Sequence, residues 1–64
     1  MSIRYKVKTT AYTYANGVQT PLGCVHRIVG SLVTAELARK RNIVTITERF
    51  PNANLILTRK EVWE

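Results

Sequence analysis

The chain contains no aspartate, and its only acids are Glu36, Glu48, Glu61 and Glu64, set against ten lysines and arginines. No two of these glutamates have a spacing that suggests acid–base work, so no carboxylate-based catalyst is expected. Cys24 is the single cysteine and His26 the single histidine. That excludes an internal disulfide, and the two together fall short of the roughly four ligands of a structural zinc site. Three glycines and two prolines leave no low-complexity run and no phosphate-cradling glycine loop. No stretch approaches the roughly 18 apolar residues of a membrane-spanning helix. Met1–Lys6 lacks the apolar region of a signal peptide. These absences predict a cytoplasmic, non-enzymatic protein with no membrane partner, no metal and no cofactor.

What is present is short, basic and moderately apolar. Sixty-four residues make one domain, of a size that buries only about 60% of its unfolded surface. The 45% hydrophobic content is that of a globular chain with a real core. A formal charge of +6 and a pI near 10.1 attract nucleic acid or an acidic protein surface. A thin core and an exposed sheet edge also favour homodimerisation.

The strongest local signal is Asn16-Gly17 between two runs rich in Tyr, Thr, Val and Ile. This pair favours the two positive-φ positions of a type I′ turn, so residues Ile3–Ala15 and Val18–Val29 read as a long hairpin. A two-residue turn puts Ala15 opposite Val18. Counting back, Tyr5 faces Ile28, Val7 faces His26, Thr9 faces Cys24 and Ala11 faces Leu22. Side chains alternate along strands, so Ile3, Tyr5, Val7, Ala11, Leu22, Cys24, His26 and Ile28 form the expected core face. Arg4, Lys6, Lys8, Thr10, Tyr12 and Tyr14 lie on the other face, across from Val29, Arg27, Val25, Gly23, Pro21 and Gln19. Pro21 and Gly23 are the positions where a bulge would locally undo this sorting.

After the Gly30-Ser31 break two readings stand. In one, a helix capped at Ser31 or Thr34 runs from about Val33 to Arg49, with Leu32, Ala35, Ala38, Ile43, Ile46 and Phe50 on its broad apolar face. Val33, Leu37 and Val44 then form a secondary stripe. In the other, the helix stops at Asn42 and the β-branched run Ile43–Thr47 is a strand. The long helix is preferred because it keeps Phe50 in phase and matches the strands in length. Leu55–Thr58 is a further strand. The expected fold is α+β: a two-layer β-β-α-β domain with a three-stranded sheet in order 2-1-3 and one helix on one face. The shorter helix would make it β-β-α-β-β.

Function is expected on the uncovered sheet face. Arg4, Lys6, Lys8 and Arg27 make a cationic strip continued by Tyr12 and Tyr14, which suits phosphates and stacked bases or an acidic protein partner. Arg39, Lys40 and Arg41 are a secondary basic cluster that fans over roughly 200° of a helix. Arg59-Lys60 extends the strip if the register of the last strand allows. Cys24 and His26 share one side of a strand, roughly 7 Å apart, and read as core residues, not as a nucleophile and its base. Trp63 reads as an end anchor for the core. The aromatic signature of the RNA-recognition motif has no counterpart here. In size, basicity and element order the chain is similar to small accessory proteins encoded by bacteriophages. That resemblance implies binding and inhibition of a host protein as the alternative to nucleic-acid binding.

Overall fold

The turn at Asn16-Gly17 has the geometry its residues favour, with φ of 54° and 75°. It joins β1 (Arg4–Ala15) to β2 (Val18–Val29) in a computed structural model that describes residues 3–63, the side chain of Trp63 excepted. The anchor expected of that tryptophan lies outside the described residues. The helix α1 spans Leu32–Arg49 and β3 spans Leu55–Trp63. Both β2 and β3 pair antiparallel with β1, giving the sheet order β2-β1-β3. This is the β-β-α-β fold with the long helix.

Ser31 is the helix N-cap. Its hydroxyl accepts from the Thr34 backbone N–H at 3.2 Å, and the Thr34 hydroxyl accepts from the Ser31 N–H at 3.1 Å. This reciprocal arrangement satisfies donors that would otherwise lack partners in the first turn. Phe50 closes the other end, its N–H donating to the Ile46 carbonyl at 2.9 Å, and Pro51 stops further winding. The β-branched run Ile43–Thr47 stays helical between these caps, because packing of the Ile46 side of the helix outweighs intrinsic strand preference.

The stripe of α1 that meets the sheet is Ala35, Ala38, Asn42 and Ile46, all buried. This differs from the expected face in two ways: Leu32 is 60% exposed, and the polar Asn42 is fully buried. Two alanines let the helix sit close over Val7, and these three side chains form one buried apolar cluster, with Ala11 and Ile46 buried elsewhere in the interior. Tyr5 and Val29 pack at its margin. The opposite end is tied down by Asn54, whose N–H donates to the Tyr12 carbonyl and whose side-chain oxygen accepts from the Tyr14 N–H.

The hairpin register holds only as far as Pro21. Ala15 pairs with Val18 and Tyr12 with Pro21, but Ala11 pairs with Gly23, so Leu22 is an extra residue in β2. Beyond this bulge the strand is shifted by one place: Thr9 pairs with Val25, Val7 with Arg27 and Tyr5 with Val29. Every side chain in the rest of β2 therefore changes face. Gly23, Val25, Arg27 and Val29 turn toward the helix, while Cys24, His26 and Ile28 turn away. The expected core face is correct for β1 and reversed for β2 beyond the bulge.

Gly23 explains why the shifted register fits. A Cβ built there would lie 2.8 Å from Phe50 Cζ and 2.9 Å from Cε2, so the ring closes over bare backbone. Glycine at this position lets the last turn of the helix settle onto β2. Replacing Gly23 with Ala is expected to lower stability by about 1–3 kcal/mol through overpacking. Phe50→Leu in the same chain should recover much of that loss. Denaturant melts of both singles and the double variant check this; additive losses would disprove the contact.

Candidate polyanion-binding face

The sheet surface turned away from α1 has no other element over it among the described residues, and its composition follows from the two registers. Three rows cross the strands. Ile28, Lys6 and Glu61 form one; His26, Lys8 and Arg59 the next; Cys24, Thr10 and Leu57 the third. Tyr12 sits beyond them between Pro21 and Leu55, and Tyr14 lies opposite Gln19. Arg4 closes the far end, opposite Trp63.

The structure thus brings Arg4, Lys6, Lys8, Tyr12 and Tyr14 onto one face, as the alternation in β1 requires. It does not bring Arg27 there. The bulge turns Arg27 to the helix side, where its Nε donates to the Asn42 side-chain oxygen at 3.1 Å. Its place in the strip is taken by Arg59, directly opposite Lys8. Lys60 points the other way and meets Glu36 at 3.7 Å. His26 and Cys24, expected in the core, are exposed members of this face. Of the Arg59-Lys60 pair expected to extend the strip if the register allowed, the register of β3 brings only Arg59 onto this face.

Like charges stand side by side in the middle row. Lys8 and Arg59 are directly opposite on neighbouring strands, where cross-strand side chains interact and like charges destabilise the pair. The nearest acid, Glu61, reaches Arg59 at 3.8 Å with both groups largely exposed, an arrangement that contributes little. On either side of the Lys8–Thr10–Tyr12 ridge lies a shallow depression of about 340 Å³. One is lined by Leu57, Thr58 and Arg59; the other runs along Pro21, Leu22 and Cys24. Each places a cation, a tyrosine ring and an aliphatic side chain around one shallow hollow.

The secondary cluster divides. Arg39 is held by Glu36, with its Nη2 2.6 Å from the carboxylate, and Lys40 and Arg41 project from the outer side of α1. The Arg39 hydrogen bond, aided by the charges of Arg39, Lys60 and Lys40, keeps the Glu36 carboxyl below the usual glutamate range. Its stabilising effect is therefore present at neutral pH and fades as pH falls through that lowered value. Among the described residues no group of three His, Cys, Asp or Glu side chains converges as a metal site would require. No helix among them is long and apolar enough to cross a membrane.

Comparison with family models, with curated proteins and with solved structures finds no match to this chain.

The shifted register has a direct chemical readout. Cys24 is exposed, so it is expected to react with a disulfide-exchange reagent such as Ellman's, one thiol per chain, without denaturant. The unshifted register would place it against the helix and make its reaction wait for unfolding. A thiol that stays silent in the native protein would overturn the bulged pairing.

Proposed function

We propose that this protein is a non-enzymatic binding module that holds single-stranded nucleic acid on its open sheet face. The observation that carries this reading is the Lys8–Arg59 pair. Two cations placed opposite each other on adjacent strands, with no covering element, weaken the sheet unless an anion lies between them. A phosphate is an anion of the right charge and reach. Arg4, Lys6, Lys8 and Arg59 would neutralise the backbone, and Tyr12 and Tyr14 would offer ring faces to bases. The depressions beside Tyr12 support the same reading, because each sets a cation next to an aromatic ring and an aliphatic side chain, against which an unpaired base can lie. Lys8, Thr10 and Tyr12 follow one another at about 6.8 Å, so the ridge runs parallel to the path a strand of nucleic acid would take.

Titration of a labelled single-stranded oligonucleotide at several salt concentrations tests the proposal. Four phosphate contacts give a slope of log affinity on log salt of about −3, or roughly 50-fold weaker binding at 200 mM than at 50 mM. Lys8→Glu with Arg59→Glu should weaken binding by more than tenfold and flatten that slope. Affinity that ignores salt, or a double variant that binds like the parent, would refute the assignment.

A further inference from the structure

The outer side of α1 carries a feature that the open sheet face does not explain. Val33, Leu37 and Val44 fall within about 40° of one another around the helix, opposite the buried stripe, and are 74%, 54% and 58% exposed. A helix with its own apolar stripe already packed is normally polar on this side. Beside these aliphatics stand Lys40 and Arg41. With Arg27 from the neighbouring strand they line a shallow depression whose remaining walls are Val44 and Thr45. Arg27 is not a loosely tethered charge. Its guanidinium is fixed through Nε by the Asn42 side-chain oxygen, and Asn42 is itself fully buried and anchored to the Val7 carbonyl at 3.2 Å.

Charge decides what fits there. Among the described residues neither Arg27 nor Arg41 has an ion-pair partner, in contrast to Arg39 and Lys60, which share Glu36. A second copy of this chain would do poorly, because antiparallel pairing of two such helices brings Lys40 and Arg41 against their own counterparts. Nucleic acid would use the cations but leave the aliphatic stripe in water, since phosphate contacts need no apolar surface. The partner that matches both halves has apolar side chains along one stripe and carboxylates beside it.

We propose that the outer face of α1, with Arg27, is a docking surface for an acidic amphipathic helix of another protein: Val33, Leu37 and Val44 form its apolar contact, and Arg27, Lys40 and Arg41 receive its carboxylates. This surface lies on the opposite side of the molecule from the sheet face and does not depend on what that face binds.

The test uses the full chain, ¹⁵N-labelled, and a synthetic helical peptide with a leucine stripe flanked by glutamates. A polyglutamate peptide of equal length, phosphatidylserine vesicles and an oligothymidylate serve as comparison ligands. Expected are amide shifts along α1 and around Arg27, and binding of the amphipathic peptide at least about tenfold tighter than polyglutamate. Leu37→Ser with Val44→Ser should weaken binding about tenfold, and so should Lys40→Glu with Arg41→Glu. All four side chains are at the surface, so circular dichroism should find these variants folded. Lys8→Glu, on the far face, should change nothing. The proposal falls if polyglutamate binds as tightly, if the shifts map to the sheet face, or if vesicles or oligothymidylate compete the peptide off α1. Failure to bind the peptide up to about 1 mM would also overturn it.

Discussion

The packing of this domain turns on one polar side chain, the Asn42 amide. It sits in the middle of the helix stripe that meets the sheet, where most small domains place an aliphatic residue. Its nitrogen donates to the Val7 carbonyl at 3.2 Å and, more weakly, to the Val25 carbonyl at 3.5 Å; its oxygen accepts from Arg27. One side chain thus reaches the central strand, the edge strand and a charged group at the seam. A buried amide is tolerable only when its hydrogen bonds are made, and no buried side-chain N or O among the described residues lacks a partner. Geometry this demanding fixes the rotation of α1 over the sheet more tightly than Ala35 and Ala38 could, since alanine surfaces slide with little penalty. Asn42 also requires the shifted register, because only then does Arg27 face the helix.

The apolar part of the core is correspondingly modest. Val7, Ala11, Ala35, Ala38 and Ile46 are buried, and Thr9 shares the interior by hydrogen-bonding Thr58 at 2.9 Å. The molecule measures 46 × 20 × 13 Å, with a radius of gyration of 12.9 Å against about 10.7 Å for a compact domain of this length. Its accessible surface is 4750 Å², where a monomer of this mass exposes about 4200 Å². The difference, about 550 Å², reflects the elongated outline and the open sheet face. Ile28, Leu57, Val33 and Leu37 supply much of the apolar surface left in solvent. A chain built this way has a large surface for the small apolar core beneath it.

Much of this architecture was legible in the residues. Asn16-Gly17 gave the hairpin, Ser31 and the phase of Phe50 bracketed the helix, and the expected strand order 2-1-3 is the one observed. The alternation of Arg4, Lys6 and Lys8 with Tyr5 and Val7 placed half of the cationic face correctly, because β1 has no irregularity to disturb it. Arg27 was misplaced for a physical reason: one unpaired residue at Leu22 reverses an entire strand segment, and periodicity reports alternation but not its phase. Pro21 and Gly23 marked the site of that irregularity without revealing that it is used. Asn42 escaped notice because hydrophobic patterning scores apolar residues and passes over a polar group whose partners lie 15 and 35 positions away in the chain. Arg59 needed the register of β3, which no turn fixes.

The bulge at Leu22 gives this small fold a sensitivity to parity. Pairing Leu22 with Ala11 in place of Gly23 would absorb the bulge and exchange the two sides of β2: Cys24, His26 and Ile28 would meet the helix, and Arg27 would join Lys8 and Arg59 in the open. Phe50 would then close onto a side chain where it now meets glycine, and Asn42 would lose its charged partner. Deleting Leu22 outright would leave the faces as they are, because Gly23 already pairs with Ala11 and only the unpaired residue is lost. One extra residue thus gives the strand two alternative pairings, and whether Leu22 is looped out or paired decides which surface the protein shows to its surroundings.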